Sequence, residues 1–470
     1  MLNVADTGWE RTCSGVTRRD LLRIGGLGLG GLTLPGMLAA RARAAAGGTG
    51  ALVRDKSVVL LFLQGGPSHI EFFDPKMTAP AEVRSITGEI STRLPGVTFG
   101  GTFPKLARLA DRLAVVRSFA SENGSHDDVL SVAGVRPLRA SMGSLYARIA
   151  GPTRPDTGLP RASVVFPEAV GAGKLGNSFE TKVLSSFGSP GGLGASFAGF
   201  DPGAGGQLRD DLTLRLPRER FADRRSLLDR LDALRRRFDA DPAVEGLDAF
   251  QRQAYDVILR GMADAFDLSK ENPRVVERYD TSAVFKAADL QKFGDMRRTT
   301  NLLGRQMLLA RRLCEAGCGF VTVVDGGWDM HANNNSPKNM AGLPLMTAQV
   351  DHAVSAFLED VESRGLSDRI LLVITGEMGR TPKLNKNGGR DHWGNLTTLA
   401  FAGGGLNMGQ VIGRSDRLAG APATEKYNPA NLLATLMHVL FDVNALRTAD
   451  ELPKAVLDAA TAGKPIPELF

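Results

Sequence analysis

Five short stretches of this sequence set histidine, carboxylate or both among small residues, and they hold the groups that could do chemistry. They are "GGPSH" at 65–69, "SENGSHDD" at 121–128, "DGGWDMH" at 325–331, "GEMGRTP" at 376–382 and "GGRDHWG" at 388–394. Imidazole beside carboxylate suits Zn²⁺ or another transition-metal ion, whereas carboxylates alone would point to Mg²⁺ or Ca²⁺. Asp329 with His331, and Asp391 with His392, can each lend one or both side chains to a shared centre. Taken singly, each pair also fits loop histidines that only hydrogen-bond or face water. Arg380 and Arg390 suit a forked grip on a phosphate or sulfate, or an ion pair with Glu377 or Asp391. Trp328 and Trp393 could wall a pocket or lie as lids over the core.

The elements around these stretches decide whether they can meet. Continuous apolar runs predict strands at 57–64, 113–119, 162–168, 319–327, 369–377 and 397–405, as in a sheet covered on both faces. Helical patterns fall after 142, from 299, from 346 and from 428. This alternation predicts an α/β fold with a doubly wound, mostly parallel sheet. Ligands of such sheets bind beyond the carboxyl ends of the strands, where each of the five stretches falls. Four of the six histidines, His69, His126, His331 and His392, are therefore expected at one sheet edge. His352 and His438 lie in helical patterns and read as packing or surface positions.

A chain of 470 residues exceeds the size of one simple core. Core segments are expected at 47–171 and 299–470, with a partly helical insertion or cap at 172–298. That insertion holds a Gly/Ser/Ala-rich excursion and two long amphipathic patterns within 217–267, whose charge run reads as a solvated helix face. Residues 1–46 order "TRRDLLR", then "IGGLGLGGLTLPGML", then "AARARAAAG". That is a basic stretch, a short apolar run and small residues suited to a signal peptidase, a twin-arginine leader. The expected location is periplasmic or extracellular, with no membrane span after leader cleavage. The leader's six arginines and three acids take half of the chain's formal net charge of +6, so no basic stripe asks for nucleic acid. Cys314 and Cys318, the two cysteines beyond the leader, are too few for a disulfide scaffold, and either a local bridge or two packed thiols fits them. No P-loop or dinucleotide fingerprint follows a strand.

"LQGGPSHIEFFDPK" (63–76), "VRSFASENGSHDD" (116–128), "GGWDMH" (326–331), "GEMGRTP" (376–382) and "GRDHWG" (389–394) resemble, in this order, the bacterial domain of unknown function 1501 family, over roughly residues 57–445. That family is grouped with the alkaline phosphatase and sulfatase superfamily. The resemblance implies an alkaline phosphatase-like sheet with a metal site at one edge, and an exported, metal-dependent hydrolase of phosphate or sulfate esters. The substrate would be a small molecule or a polysaccharide ester. The cofactor would be a divalent metal, Zn²⁺ first, as one or two ions. Asp329 and His331 resemble one ligand pair of the superfamily and His392 its final histidine. His69 stands where an immediate Asp is expected, and Gly376-Glu377 where an Asp-His pair is expected, which leaves His69, Glu377 and Asp391 as further metal ligands. Ser125 beside His126 is the first choice of catalytic pair, with Ser118 next, and Arg380 and Arg390 would bind substrate. The departures also motivate an alternative, a non-catalytic periplasmic binding or assembly protein with a degenerate metal site.

Overall fold

A computed structural model of the protein describes residues 52–155, 157–171, 183–203 and 263–470. The leader at 1–46 and most of the amphipathic patterns within 217–267 lie outside the described residues.

The apolar runs become a seven-stranded sheet. Its strands are β1 (Ser57–Gln64), β2 (Ala114–Val116), β3 (Ala162–Val165), β4 (Phe320–Gly326), β5 (Ile370–Thr375), β8 (Leu399–Gly403) and β9 (Gln410–Ile412). Two further short strands, β6 (Gly379–Arg380) and β7 (His392–Trp393), form a separate two-stranded ladder. The order across the main sheet is β9-β2-β8-β5-β1-β4-β3. β1 runs parallel to β4 and to β5, β3 runs parallel to β4, and β8 is antiparallel to both β5 and β2. The sheet is thus mostly parallel, with β8 the exception. A parallel return needs a crossover, usually a helix, and residues 376–398 contain none. The chain leaving β5 therefore turns back and pairs antiparallel.

β1 reads as an unbroken apolar run because both of its faces are covered. Val59, Leu61 and Leu63 join the large core cluster with the inner faces of α3 (Leu303–Glu315) and α4 (Leu343–Ser363). Val58, Leu60 and Phe62 are equally buried on the opposite side, where Phe62 meets Phe187 with ring centroids 4.9 Å apart. α2 (Met142–Ala150) covers that side, close enough that a Cβ on Gly143 would stand 3.2 Å from the Phe320 ring. α5 (Pro429–Leu440) also reaches β1. Its start follows from sequence, since Asn428 caps the first turn in a reciprocal capping box with Asn431, and Pro429 fills the first helical position. These helices match the four predicted from periodicity.

The described part of 263–298 forms short helical pieces whose Phe266, Tyr279, Phe285, Leu290 and Met296 enter the same core as α3 and α4. A buried polar tie fastens it there: Arg311 pairs with Glu271 at 2.5 Å and with Asp360 at 2.9 Å, and the Tyr279 hydroxyl donates to Asp360 at 3.1 Å. Cys314 and Cys318 are buried free thiols. Among the described residues, no helix is long and apolar enough to cross a membrane.

Candidate metal centre

β5, β1 and β4 lie side by side and parallel, so the loops leaving their carboxyl ends emerge together. After β4 the chain buries Trp328 against Phe72 of the short helix α1 (His69–Phe72), ring centroids 5.3 Å apart, with its indole N–H on Asp325 Oδ2 at 2.8 Å. That anchor holds the next residues, Asp329 and His331, at the sheet edge. The loop after β1 can approach because residue 65 is glycine: its φ is +120°, and a Cβ there would stand 2.6 Å from the backbone nitrogens of Trp328 and Asp329. After β5 come Glu377 and Arg380. The β6–β7 ladder sets Arg380 directly opposite His392. Gly389 permits the approach of this last loop, since a Cβ on it would lie 2.2 Å from the His331 carbonyl. His126 arrives from the loop after β2, which Asn123 folds by donating to the carbonyls of Ser125 (2.8 Å) and Asp128 (3.1 Å).

Three imidazoles converge on one carboxylate. His126 Nε2 lies 3.2 Å from Asp329 Oδ2, while His331 Nε2 and His392 Nε2 lie 2.9 and 3.3 Å from Asp329 Oδ1. The last two nitrogens are 3.0 Å apart. Behind each ring, Nδ1 faces an acceptor: Glu377 Oε1 at 2.7 Å for His126, Asp391 Oδ1 at 2.7 Å for His331, and the Gly124 carbonyl at 2.9 Å for His392. A carbonyl can only accept, so His392 must carry its proton on Nδ1, and the two carboxylates ask the same of their partners. His331 and His392 Nε2 then face each other beside Asp329 Oδ1, and His126 Nε2 faces Asp329 Oδ2. Two lone pairs facing at 3.0 Å repel unless a cation, proton or metal, lies between them.

This donor set fits a metal ion. Two donors on a tetrahedral zinc at about 2.0–2.1 Å would stand roughly 3.3 Å apart; ligand atoms of His126, Asp329 and His392 all lie within 4.8 Å of one another, and His331 adjoins that trio through Asp329 Oδ1 and His392 Nε2. His126 Nε2 is buried without a hydrogen-bond partner, because its approach to Asp329 is near enough for charge attraction but out of line for a bond. Acceptors behind ligating imidazoles are the usual device for orienting them. The four side chains are 17–28% exposed, so the centre is open on one side.

Without an ion, protons must do the neutralising. Burial works against charging His126, yet Asp329 and Glu377 outweigh it and raise its pKa from 6.5 to about 9. His331 is raised too, chiefly by Asp329. Burial alone would raise the Asp329 carboxyl, but the three imidazoles and Arg380 hold it far below the usual range. The signs follow directly. Protonated His126 favours the metal-free fold below about pH 6.5, and that contribution is lost as pH rises through about 9. Metal uptake must expel this proton, so affinity falls as pH drops below about 9. Chelator competition should show binding at least about a hundredfold tighter at pH 8 than at pH 6, with one proton released per ion from His126 and more at the acid end as His331 also gives up its proton. A pH-independent affinity would contradict this.

Of the residues expected at the site, His126, Asp329, His331 and His392 meet, and Glu377 and Asp391 stand behind the histidines. His69 lies elsewhere: its Nε2 faces the Ala419 carbonyl at 3.1 Å, its Nδ1 is unpartnered, and burial pushes its pKa down to about 4. Ser125 is exposed, its hydroxyl 3.5 Å from Asp127 Oδ2 and accepting the Asp127 N–H at 3.2 Å. Ser118 is wholly enclosed.

Neither arginine presents its fork to the opening. Arg380 donates to the carbonyls of Gly65, Gly66 and Arg390 and to Asp329 Oδ1 at 2.5 Å, tying four loops together. Arg390 is fully buried on Glu71 and on the carbonyls of Val83, Arg84, Thr381 and Pro382. Trp393 is pinned by its N–H to the Gly420 carbonyl. His352 bridges Lys105 and the Arg278 carbonyl, and His438 bonds within its helix.

Sequence reasoning missed the Gly124 carbonyl and Asn385, whose amide holds both the His331 carbonyl (2.9 Å) and Asp391 (3.2 Å). A backbone acceptor leaves no signal in residue types. Asn385 could have been suspected from its place just before the Gly388-Gly389 turn.

A family profile described as "Protein of unknown function (DUF1501)" matches residues 55–456. Among solved structures, the chain is similar to the PsFucS1 sulfatase from Pseudoalteromonas sp., at 12% identity and a TM-score of 0.36, over 91% of this chain and 76% of that one. It is also similar to Ps i-CgsB, solved in complex with k-i-k-neocarrahexaose, at 9% identity and a TM-score of 0.29, over 82% of this chain and 72% of that one. No curated protein matches it.

Proposed function

The chain belongs to the DUF1501 family of proteins of unknown function, and from that premise we propose that it is an exported, metal-dependent hydrolase of phosphate or sulfate esters with one divalent ion. The observation that carries the metal reading is the convergence of three Nε2 atoms on Asp329, each ring backed at Nδ1 by its own acceptor. His126, Asp329, His331 and His392 would hold the ion, with Zn²⁺ the best match to three imidazoles and one carboxylate. When bound, such an ion polarises an ester oxygen and lowers the pKa of a water or hydroxyl placed against it. Glu377, Asp391 and the Gly124 carbonyl orient the rings, and Arg380 fixes Asp329. The hydrolase part of the reading, and a small-molecule or polysaccharide ester as substrate, rest on the family resemblance. Export rests on the twin-arginine pattern at residues 17–23.

The nucleophile on this reading is water rather than Ser125, whose hydroxyl turns to Asp127. Ser125→Ala is expected to keep kcat within about threefold, whereas losing a true nucleophile costs several orders of magnitude. The alternative, a binding or assembly protein with a degenerate site, is less well supported because the four converging groups retain their backing acceptors. Metal analysis of protein recovered from the exported fraction, with a panel of aryl phosphates and sulfates, separates the outcomes. Stoichiometric metal with turnover supports the proposal. Metal without turnover on any ester favours the binding alternative, and absence of both sinks the enzyme reading.

A further inference from the structure

An open groove of about 620 Å³ lies beside the loop that carries His126, within the size range of small-molecule sites. One wall is α6 (Lys454–Thr461), through Ala455 and Ala459, and another is the start of α5, through Pro429, Ala430 and Leu433. The third runs from Ser131 to Pro137 and is continued by Ser121 and Glu122. Alanine at 455 and 459, one helical turn apart on α6, keeps this space open.

The polar groups around the groove are already engaged within the chain. Ser121 and Ser131 donate their hydroxyls to the carbonyls of Asn123 (3.4 Å) and Asp128 (2.6 Å), and the Asn428 side chain caps α5. Glu122 is paired with Lys426 at 2.5 Å, and Arg136 with Asp128 at 3.3 Å. Of the three charged residues that line the groove, only the exposed Asp458 has no ion-pair partner among the described residues. An anion would meet Asp458 unshielded, and a cation would find a single carboxylate screened by water. The occupant that complements this surface is therefore uncharged.

The same residues hold the turn that delivers His126. Its entry, Ser121–Gly124, serves both sites. The Glu122 N–H donates to the Gly394 carbonyl at 2.9 Å, just past β7, and the Gly124 carbonyl faces His392 Nδ1 at 2.9 Å. Its exit, Asp128, is held by Ser131 Oγ and Arg136, which line the groove, and by the Asn123 amide at 3.1 Å. A molecule filling the groove presses on entry and exit together, and so on the position of His126.

We propose that the groove binds an uncharged, largely hydrocarbon small molecule, and that this binding and metal binding strengthen one another through the His126 turn. Thermodynamic linkage makes the effect reciprocal. The coupling rests on the metal reading above; the groove site does not, and neither needs ester turnover.

N-Phenyl-1-naphthylamine, an uncharged fluorophore, and 8-anilinonaphthalene-1-sulfonate, the same frame with a sulfonate, test this on the full chain. The uncharged probe should bind the metal-free chain saturably, and about tenfold tighter than the sulfonate, the size of one unscreened charge contact. Zinc should tighten that binding about fivefold or more, and saturating probe should raise zinc affinity by the same factor. Both effects should vanish in His126→Ala while the probe still binds. Ala459→Trp, or Ala455→Trp one turn earlier, should fill the groove and abolish probe binding without lowering the denaturant midpoint. No saturable binding, as when a segment of this chain or of a second copy occupies the groove, overturns the site, as does binding unchanged in both tryptophan variants. Sulfonate bound as tightly as the uncharged probe overturns the ligand class. Probe affinity indifferent to zinc, in a chain that binds zinc, overturns the coupling and leaves the metal and hydrolase readings standing. A chain that takes up probe but no zinc overturns the metal reading and the coupling with it.

Discussion

His392→Ala is expected to strip the protein of stoichiometric metal while leaving its fold intact. His392 supplies one of four converging donors, and its removal forfeits about a quarter of the roughly 10–16 kcal/mol with which such sites hold zinc, an affinity loss on the order of 10²–10³-fold. Turnover should fall in proportion to occupancy and recover in part at high metal concentration. Stability in the absence of metal should change by no more than about 1 kcal/mol, because the ring is 28% exposed and sits in a ladder of two residues per strand. His69→Ala is the matched control. That ring is buried away from the cluster on the Ala419 carbonyl, so its loss should lower stability and spare metal content. Elemental analysis and denaturant melts of both variants check the pair, and metal retained in His392→Ala would contradict the ligand assignment.

Arg380→Met is expected to cost about 3–5 kcal/mol of folding stability in the metal-free protein. The guanidinium is 2% exposed and serves the carbonyls of Gly65, Gly66 and Arg390 together with the Asp329 carboxylate. Methionine fills much of the volume but leaves those acceptors unpaired, and an unpaired buried acceptor or charge is what makes such changes severe. Part of the loss should be recovered on loading, since a bound cation offsets the charge of Asp329. Denaturant unfolding with and without metal measures both quantities. A loss below about 1 kcal/mol would mean that Arg380 is not the tie between these loops.

How much of this was legible depends on which interactions leave a pattern in residue types. β1, β4 and β5 could be read because burial on both faces demands unbroken apolar runs, and the glycine-rich loops at their ends marked the edge where Asp329 and His331 meet His392. β9 could not, since Gln410–Ile412 is a short, half-exposed edge strand. The reversal of β8 was implicit in the absence of a helical pattern between 376 and 397. The two arginines show the limit most plainly. In a loop sequence, Arg380 and Arg390 look like solvent-facing forks awaiting an anion, and only the three-dimensional crowding of carbonyls reveals that both are consumed internally. Ser125 and His126 are neighbours in sequence, yet the turn built on Asn123 and Asp127 faces the hydroxyl outward while the imidazole reaches Glu377 and Asp329. For Glu377 and Asp391, sequence offered a carboxylate near a metal but not whether it touches the ion or the ring behind it.

On this reading one divalent ion sits on His126, Asp329, His331 and His392. X-ray absorption at the metal edge of protein purified with its native metal tests it most directly. One ion per chain is expected, with three imidazole nitrogens and one carboxylate oxygen at about 2.0–2.1 Å, and one imidazole fewer around it in His392→Ala reloaded with excess metal. A metal–metal vector at about 3.5–4 Å, a sulfur ligand, or fewer than three imidazoles would contradict it.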